Sequence, residues 1–355
     1  MDSFETFPEQ EEAKRLLRAA LAEGPAHAYL FHGPRGVGKR RAALAFAGSL
    51  LADVERVERR VHPDLYVLEP LGDQIRIDPI RDLRRDLHMR PFEADRRVYL
   101  VFGADLMNED AADALLKDLE EPPPYAVVVL VADEVGLLPP TIRSRCQHVP
   151  FRRLSQRAIK AHLARRGLVG EELDALARVA AGRLDRAERL LDPEAGVRRG
   201  RLIELARSVY LEPDFNPAQA SRGVTELAHE RAASARAAAE EQASGEETPR
   251  ELEQRVRRAG RGAEREEILE ALDLLSGWYR DLVVVAAGAE RAVLNSDRLP
   301  ELASDGVPER SLPAQRAAET VRDVWRSFEF NVQPALALEA LFVRLRRELG
   351  GTLSA

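Results

Sequence analysis

A glycine-rich segment near the start of the chain has the residue types of a phosphate-binding loop. Its glycines let backbone N–H groups turn toward an anion, and the helical pattern that follows adds the positive end of a helix dipole. A short apolar run precedes it, so the context is strand, loop and helix. The residues that fit the pattern G-x-x-x-x-G-K, with Lys39 reaching the outer phosphates, are Gly33, Pro34, Arg35, Gly36, Val37, Gly38 and Lys39.

The position that should hold magnesium is altered. A Ser or Thr normally follows the lysine and supplies a hydroxyl ligand, but Arg40 follows Lys39 here. Arginine carries only hydrogen-bond donors and cannot coordinate a cation. Where an NTPase ends its third strand with acidic residues, this chain has Phe102 and Gly103, and Asp105 comes two residues later. The loss of all three groups predicts that this site does not hydrolyse ATP.

Strands that alternate with helices are expected to position this loop. Continuous apolar runs predict strands that are buried on both faces, and their alternation with helices predicts an α/β fold with a mostly parallel five-stranded sheet. The predicted strands are 27–33, 64–68, 98–102, 127–131 and 147–151. A lead-in helix is predicted over 3–23 and a charged connector over 52–62. Further helices are predicted over 41–51, 80–89 and 108–121, and a helical turn over 139–145.

The chain after the fifth strand is predicted to be helical. Three helices between Ser155 and Leu191 would form a small lid, and several apolar helical faces follow from about Val197. Residues 216–262 contain no aromatic residue and many Glu, Arg and Ala. They predict a solvated helical hairpin or a partly disordered insertion that is dispensable for folding. The expected domains are therefore 1–152, 153–195 and 196–355, with the charged insertion in the last.

Composition narrows the functional class. The chain has 355 residues and a net charge of −7, so no global positive field draws it to nucleic acid. Its single cysteine, Cys146, excludes an internal disulfide and a zinc site made of several cysteines. The sequence has no apolar run of membrane-spanning length and no recognisable secretion signal, so we expect a cytoplasmic protein without a membrane partner.

Two longer segments resemble a known family. Residues 111–123 read A-A-D-A-L-L-K-D-L-E-E-P-P and residues 138–147 read L-P-P-T-I-R-S-R-C-Q. They are similar to the A-x-N-A-L-L-K-x-L-E-E-P-P and L-L-P-T-I-x-S-R-C-Q segments of bacterial clamp-loader AAA+ subunits. The preceding D-L-M-N at 105–108 and the H-P-D-L at 62–65 also match. The resemblance covers roughly residues 5–190. It implies an AAA+ P-loop domain, a helical lid and an all-helical C-terminal collar that mediates assembly.

An intact Ser144-Arg145-Cys146 beside degenerate ATP motifs resembles the delta-prime branch of that family. The resemblance implies a non-catalytic subunit of the DNA polymerase III clamp loader, in which Arg145 acts in trans on ATP held by a neighbouring subunit; Arg143 ranks second for this role. The implied partners are gamma/tau and delta subunits, with the sliding clamp and primer-template DNA reached through the complex. ATP and Mg²⁺ would be bound by partners, so no cofactor is required. Residues 52–62 lack the zinc-binding cysteines of some members, so no zinc is implied.

Two alternatives remain open at this point. The chain could be an active gamma/tau-like clamp-loader ATPase, which Arg40 and the missing acidic pair oppose. It could instead be a P-loop kinase for a small molecule. A kinase would need a base and a Mg²⁺ site, and it gives no reason for the long helical C-terminal region or for Ser144-Arg145-Cys146.

Overall fold

A computed structural model describes residues 3–70, 74–241, 248–328 and 333–350, except for the side chain of Glu251. The chain divides into two compact units. The first contains Met1–Leu173 and Ala180–Glu188, and the second contains Asp174–Val179 and Arg189–Ala355. Residues of the predicted lid, 153–195, are therefore shared between the two units. In the described part of the chain, no helix is both long enough and apolar enough to cross a membrane.

The first unit is built on a five-stranded sheet in which every pair of neighbouring strands is parallel. The strand order is β2-β3-β4-β1-β5. Every residue of β3 and β4 is buried, as expected for strands covered by helices on both faces. The predicted α/β class and parallel sheet are thus confirmed. The bounds are β1 Ala28–His32, β2 Leu65–Leu68, β3 Arg97–Phe102, β4 Ala126–Ala132 and β5 Gln147–Pro150.

Several helices of this unit begin at a residue whose side chain caps the first turn. The side chains of Asn108 and Ser155 accept N–H bonds from Ala111 and Ala158, each at 3.1 Å, and so satisfy exposed donors at the starts of α5 and α7. The helices are α1 Glu11–Glu23, α2 Lys39–Leu50, α3 Val54–Glu58, α4 Ile77–Leu87, α5 Glu109–Glu120, α6 Pro140–Arg143 and α7 Gln156–Ala164. Helices α8 Gly170–Val179 and α9 Leu184–Arg189 follow, and α8 is divided between the two units.

Three boundaries differ from the predictions. The lead-in helix α1 begins at Glu11, because Phe4 and Phe7 are used instead as buried anchors in a preceding 3-10 turn and loop. The predicted connector 52–62 contains α3, whose first turn is capped by the carboxylate of Asp53. Helix α4 begins at Ile77, so Pro79 lies inside its first turn, where no backbone N–H is needed.

The second unit is a bundle of long helices around one apolar core, and no strand occurs in its described residues. The apolar helical faces predicted after about Val197 contribute to this core. A buried chain of hydrogen bonds runs from Trp278 Nε1 to the Tyr210 hydroxyl (3.1 Å) and on to Asp305 (2.7 Å). The helices are α10 Pro193–Leu211, α11 Pro217–Glu241, α12 Pro249–Ala286, α13 Leu299–Asp305, α14 Pro308–Ser327 and α15 Pro334–Leu349.

The described residues of 216–262 are helical, as one form of the prediction had it, but the expectation of a solvated insertion is wrong for α11. Helix α11 buries Val224, Leu227 and Ala228 in the core of the bundle, and the Ser221 hydroxyl donates to the Ala335 carbonyl at 2.9 Å. The few aliphatic residues fall on one helical face, so a low aliphatic content still makes a complete packing surface. Residues 242–247, at the predicted turn of the hairpin, lie outside the described residues.

We expect Leu227→Ala to destabilise the protein by about 2 to 5 kcal/mol, the usual cost of removing a buried leucine side chain. Leu227 is 6% exposed and belongs to the helical core. Leu336→Ala is the matched control, because Leu336 is 63% exposed and its loss should cost less than about 0.5 kcal/mol. Urea unfolding curves of the two variants provide the comparison. Equal midpoints would mean that α11 does not contribute to the core as described.

Candidate functional site

The phosphate-loop segment connects β1 to α2 and requires its glycines. Gly33, Gly36 and Gly38 have φ angles of 136°, 76° and 103°, in the region that side chains disfavour. At Gly33 a methyl group would also lie 2.1 Å from the carbonyl oxygen of Phe151, which follows β5. Val37 is fully buried and anchors the loop in the apolar core, and Pro34 contributes a carbonyl that turns inward. The loop therefore has the backbone of a phosphate-binding turn.

Lys39 is turned back onto the chain itself. Its ammonium donates to the carbonyl oxygens of Gly33 (2.5 Å) and Pro34 (2.7 Å), and it pairs with Asp133 Oδ1 at 2.6 Å. An ammonium group has three hydrogen-bond donors, and these three oxygens match them. The side chain is 4% exposed, so water has little access to it.

Arg40 and Phe102, two of the positions where Mg²⁺ ligands were expected, contact each other. The Arg40 guanidinium carbon lies 4.2 Å from the centroid of the Phe102 ring, a cation–π arrangement. The same guanidinium forms an ion pair with Glu69, which also pairs with Arg60 at 3.0 Å. A guanidinium and an aromatic ring supply no oxygen ligand, so the residues present do not fit a magnesium ion. Among the described residues, no group of three or more His, Cys, Asp or Glu side chains could hold a metal.

The nearby Asp105 has a structural role. Its Oδ2 accepts the backbone N–H groups of Asp133 (3.2 Å) and Glu134 (2.9 Å), immediately after β4. Burial raises the pKa of this carboxyl, and the N–H group of Glu134 partly opposes that rise. Asp105 therefore fixes the turn that carries Asp133, while Gly103 takes a φ of 66° at the end of β3.

Asp185 is a charged residue at the loop that the sequence analysis missed. The N–H group of Leu184 donates to the Gly36 carbonyl at 2.7 Å, which brings the start of α9 onto the loop. A methyl group at Gly36 would lie only 1.9 Å from Asp185 Oδ1. Burial alone would raise the pKa of Asp185, but hydrogen bonds and charge from Arg183, the charge of Arg35 and a backbone N–H lower it to about 2. The sequence shows Asp185 between Arg183 and Arg186, but it gives no sign that this side chain lies against Gly36.

Arg145 lies between α6 and β5. It forms an ion pair with Glu120 at the end of α5, and its Nη1 donates to the Thr141 carbonyl at 2.8 Å. The side chain is 34% exposed, and the Ser144 hydroxyl donates to the same carbonyl at 3.1 Å. Glu120 and Arg145 come from the two segments that carry the resemblance, and the structure brings them together.

Other residues of the segments that resemble the clamp-loader family have structural roles. Cys146 is buried, and burial raises the pKa of its thiol to about 12, which makes it an unreactive core residue. The carbonyl of Arg143 hydrogen-bonds to His148 Nε2 at 3.0 Å. The Asp64 carboxylate of the 62–65 segment is fully buried and accepts the N–H groups of Phe92 (2.6 Å), Glu93 (3.0 Å) and Ala94 (2.9 Å).

Comparison with known proteins identifies relatives of the first unit. Residues 9–155 match the family described as DNA polymerase III, delta subunit. The chain is 32% identical over 204 residues to DNA polymerase III subunit delta' of Bacillus subtilis, covering 54% of this chain and 62% of that protein. It is 39% identical over 136 residues to subunit delta' of Pseudomonas aeruginosa, covering 34% and 42%.

A third relative has a different subunit name. The chain is 32% identical over 170 residues to DNA polymerase III subunit tau of Bacillus subtilis, covering 44% of this chain and 30% of that protein. In all three comparisons the chain spans less than two thirds of the relative's length. The match to the family, over residues 9–155, lies within the first unit and includes the phosphate loop and Arg145.

Proposed function

We propose that the chain is a delta-prime-type subunit of the DNA polymerase III clamp loader that does not itself hydrolyse ATP. The match of residues 9–155 to the family described as DNA polymerase III, delta subunit, and the similarity to two delta' subunits support this proposal. The first unit of the chain has the AAA+ P-loop fold. It would assemble in the cytoplasm with gamma/tau and delta subunits. The complex would use ATP bound by gamma/tau to load a sliding clamp onto primer-template DNA.

The observation that carries this proposal is the contact between Arg40 and Phe102. An ATPase of this architecture needs an oxygen ligand after Lys39 and acidic residues at the end of β3. Here a positive guanidinium stacks on an aromatic ring, and Glu69 neutralises it. Neither the guanidinium nor the ring offers an oxygen ligand to a divalent cation, and the Glu69 carboxylate is already paired with Arg40 and Arg60.

The environment of Arg145 supports a role toward a neighbouring subunit. The guanidinium is partly exposed, and the Thr141 carbonyl and Glu120 hold it in one orientation. A planar guanidinium can bind two phosphate oxygens at once, and preorganisation lowers the entropic cost of doing so. In the complex, phosphate oxygens of the neighbour's ATP would replace or join the Glu120 carboxylate. Arg145 would then offset negative charge on the transferring phosphoryl group.

The gamma/tau-like ATPase is the second candidate, and the similarity to subunit tau favours it. It would require hydrolysis without the hydroxyl and acidic groups that Arg40, Phe102 and Gly103 replace. The similarity to clamp-loader subunits favours both of these candidates over a small-molecule kinase.

We expect the purified full-length chain to show no Mg²⁺-dependent ATP hydrolysis above background, because Arg40, Phe102 and Gly103 replace the residues expected to ligate the metal. We also expect it to co-purify with gamma/tau and delta subunits. Lys39→Ala is the control for the hydrolysis assay, since it removes the loop's own cation. Turnover that purifies with the wild-type chain and disappears in Lys39→Ala would favour the gamma/tau-like candidate. Failure to associate with either partner would reject the clamp-loader role itself.

A further inference from the structure

The phosphate loop contacts two acidic side chains of its own chain. We propose that the carboxylates of Asp133 and Asp185 act as intramolecular ligands of the loop. They take the place of a polyphosphate, so the wild-type chain does not bind one, and neutralising both would open the site to inorganic polyphosphate. The proposal concerns this chain alone and does not depend on which partners it joins.

Asp133 forms an ion pair with Lys39, the cation that a bound phosphate would contact. Its Oδ1 lies 2.6 Å from Lys39 Nζ, whose two other donors go to the Gly33 and Pro34 carbonyls. A phosphate oxygen could reach this ammonium only by displacing one of the three acceptors. It would also approach a carboxylate of like charge, which costs more in a partly buried place than in water.

Asp133 is held in this position by the turn after β4. Asp105 accepts the N–H groups of Asp133 and Glu134, so the backbone that carries the carboxylate is fixed at two adjacent residues. Strand β4 pairs directly with β1, the strand that enters the loop. The carboxylate is therefore placed beside Lys39 by the sheet, and no movement of a mobile side chain is required.

The side chain of Asp185 lies against the middle of the loop, at Gly36. Its Oδ1 approaches Gly36 so closely that even a methyl group there would overlap with it, at 1.9 Å. The Leu184 N–H bond to the Gly36 carbonyl holds the start of α9 against the loop, and Glu188 pairs with Arg41 of α2 at 2.5 Å. Arg183 holds the carboxylate through a 2.8 Å contact between its Nη2 and Asp185 Oδ2. The carboxylate of Asp185 would therefore repel an anion that approached the loop at Gly36.

The two carboxylates together bring negative charge to a loop that carries positive groups. These groups are Lys39, Arg35 and the backbone N–H groups of the turn. Asp133 neutralises Lys39, and Asp185 lies within the electrostatic range of Arg35. Folding thus supplies the negative charge that a nucleotide would otherwise bring.

The test is calorimetric titration of the isolated full chain with inorganic tripolyphosphate, without added metal. We expect little or no binding by the wild type. The double variant Asp133→Asn with Asp185→Asn should bind at least about tenfold more tightly, a change of about 1.4 kcal/mol. The single variants should fall between the two. Asparagine has nearly the size of aspartate, and thermal melts will show whether each variant keeps its cooperative transition.

Two control variants show whether tripolyphosphate binds at the phosphate loop. Adding Lys39→Ala to the double variant should abolish binding, because the loop then lacks its cation. The pair Glu55→Gln and Asp113→Asn changes the net charge equally at exposed positions and should leave the affinity at the wild-type level. Wild-type binding as tight as that of the double variant would overturn the proposal. Unchanged binding in the folded double variant, or binding that survives Lys39→Ala, would also overturn it.

Discussion

Arg145→Ala is expected to depress the DNA- and clamp-stimulated ATP hydrolysis of the reconstituted complex, while this chain stays folded and assembled. An arginine that stabilises charge on a transferring phosphoryl group contributes on the order of 10³ or more in rate at its own site. The loss in the whole complex should be smaller, because other subunits keep their own arginines. Arg145 is partly exposed and lies at the end of a short helix, so its truncation removes little of the core.

Three companion variants make this measurement specific. Arg145→Lys should restore little activity, since an ammonium cannot bind two oxygens in a planar fork. Glu120→Gln weakens one of the two contacts that orient Arg145 and should lower the rate less than Arg145→Ala does, because the Thr141 carbonyl still holds the guanidinium. Arg152→Ala is the matched surface control, because Arg152 is an exposed arginine on the same unit. Wild-type rates with Arg145→Ala would reject the action in trans and leave the chain only a scaffolding role.

Asp64→Asn should be the most damaging conservative substitution in the first unit, with a loss of about 3 kcal/mol in the free energy of unfolding. The carboxylate is fully buried and accepts three backbone N–H groups, from Phe92, Glu93 and Ala94. An amide has one acceptor oxygen, so its NH₂ group would face at least one donor. A buried donor without an acceptor costs about 1 to 3 kcal/mol, and the loss of charge-assisted bonds adds to this cost.

The pH dependence of stability gives a second readout for Asp64. Burial by itself would raise the pKa of this carboxyl, but the three N–H bonds and the charge of Arg97 lower it below its ordinary value. The lowered pKa means that Asp64 stabilises the fold above the pKa of the unfolded chain. This stabilisation is lost as the pH falls through the folded-state pKa. The wild type should therefore lose more stability than Asp64→Asn between neutral and acidic pH.

Urea unfolding at neutral pH and at a series of pH values below about 3.9, the pKa of an unfolded aspartate, measures both effects. Asp113→Asn is the control, because Asp113 is exposed on α5 and should shift the midpoint little at any of these pH values. A midpoint for Asp64→Asn equal to that of the control would show that the three N–H bonds do not hold the segment after α4.

Local patterns in the sequence were sufficient for the α/β architecture. Continuous apolar runs placed β3 and β4, since a strand covered on both faces needs apolar residues at every position. Ser155 marked the start of α7, because a cap bonds only to N–H groups within its own helical turn. The same local reading identified Arg40, Phe102 and Gly103 as departures from the pattern of an ATPase.

The tertiary structure alone decided which of these residues meet. The contacts of Arg40 with Phe102, of Arg145 with Glu120 and of Asp185 with Gly36 each join residues from separate elements. Helical and strand periodicity tells which face of an element is buried, but not which element covers it. Helix α11 was misjudged for the same reason. Its small apolar face is enough only because α12 and α15 pack against it, and that arrangement is set by the whole bundle and not by the composition of one segment.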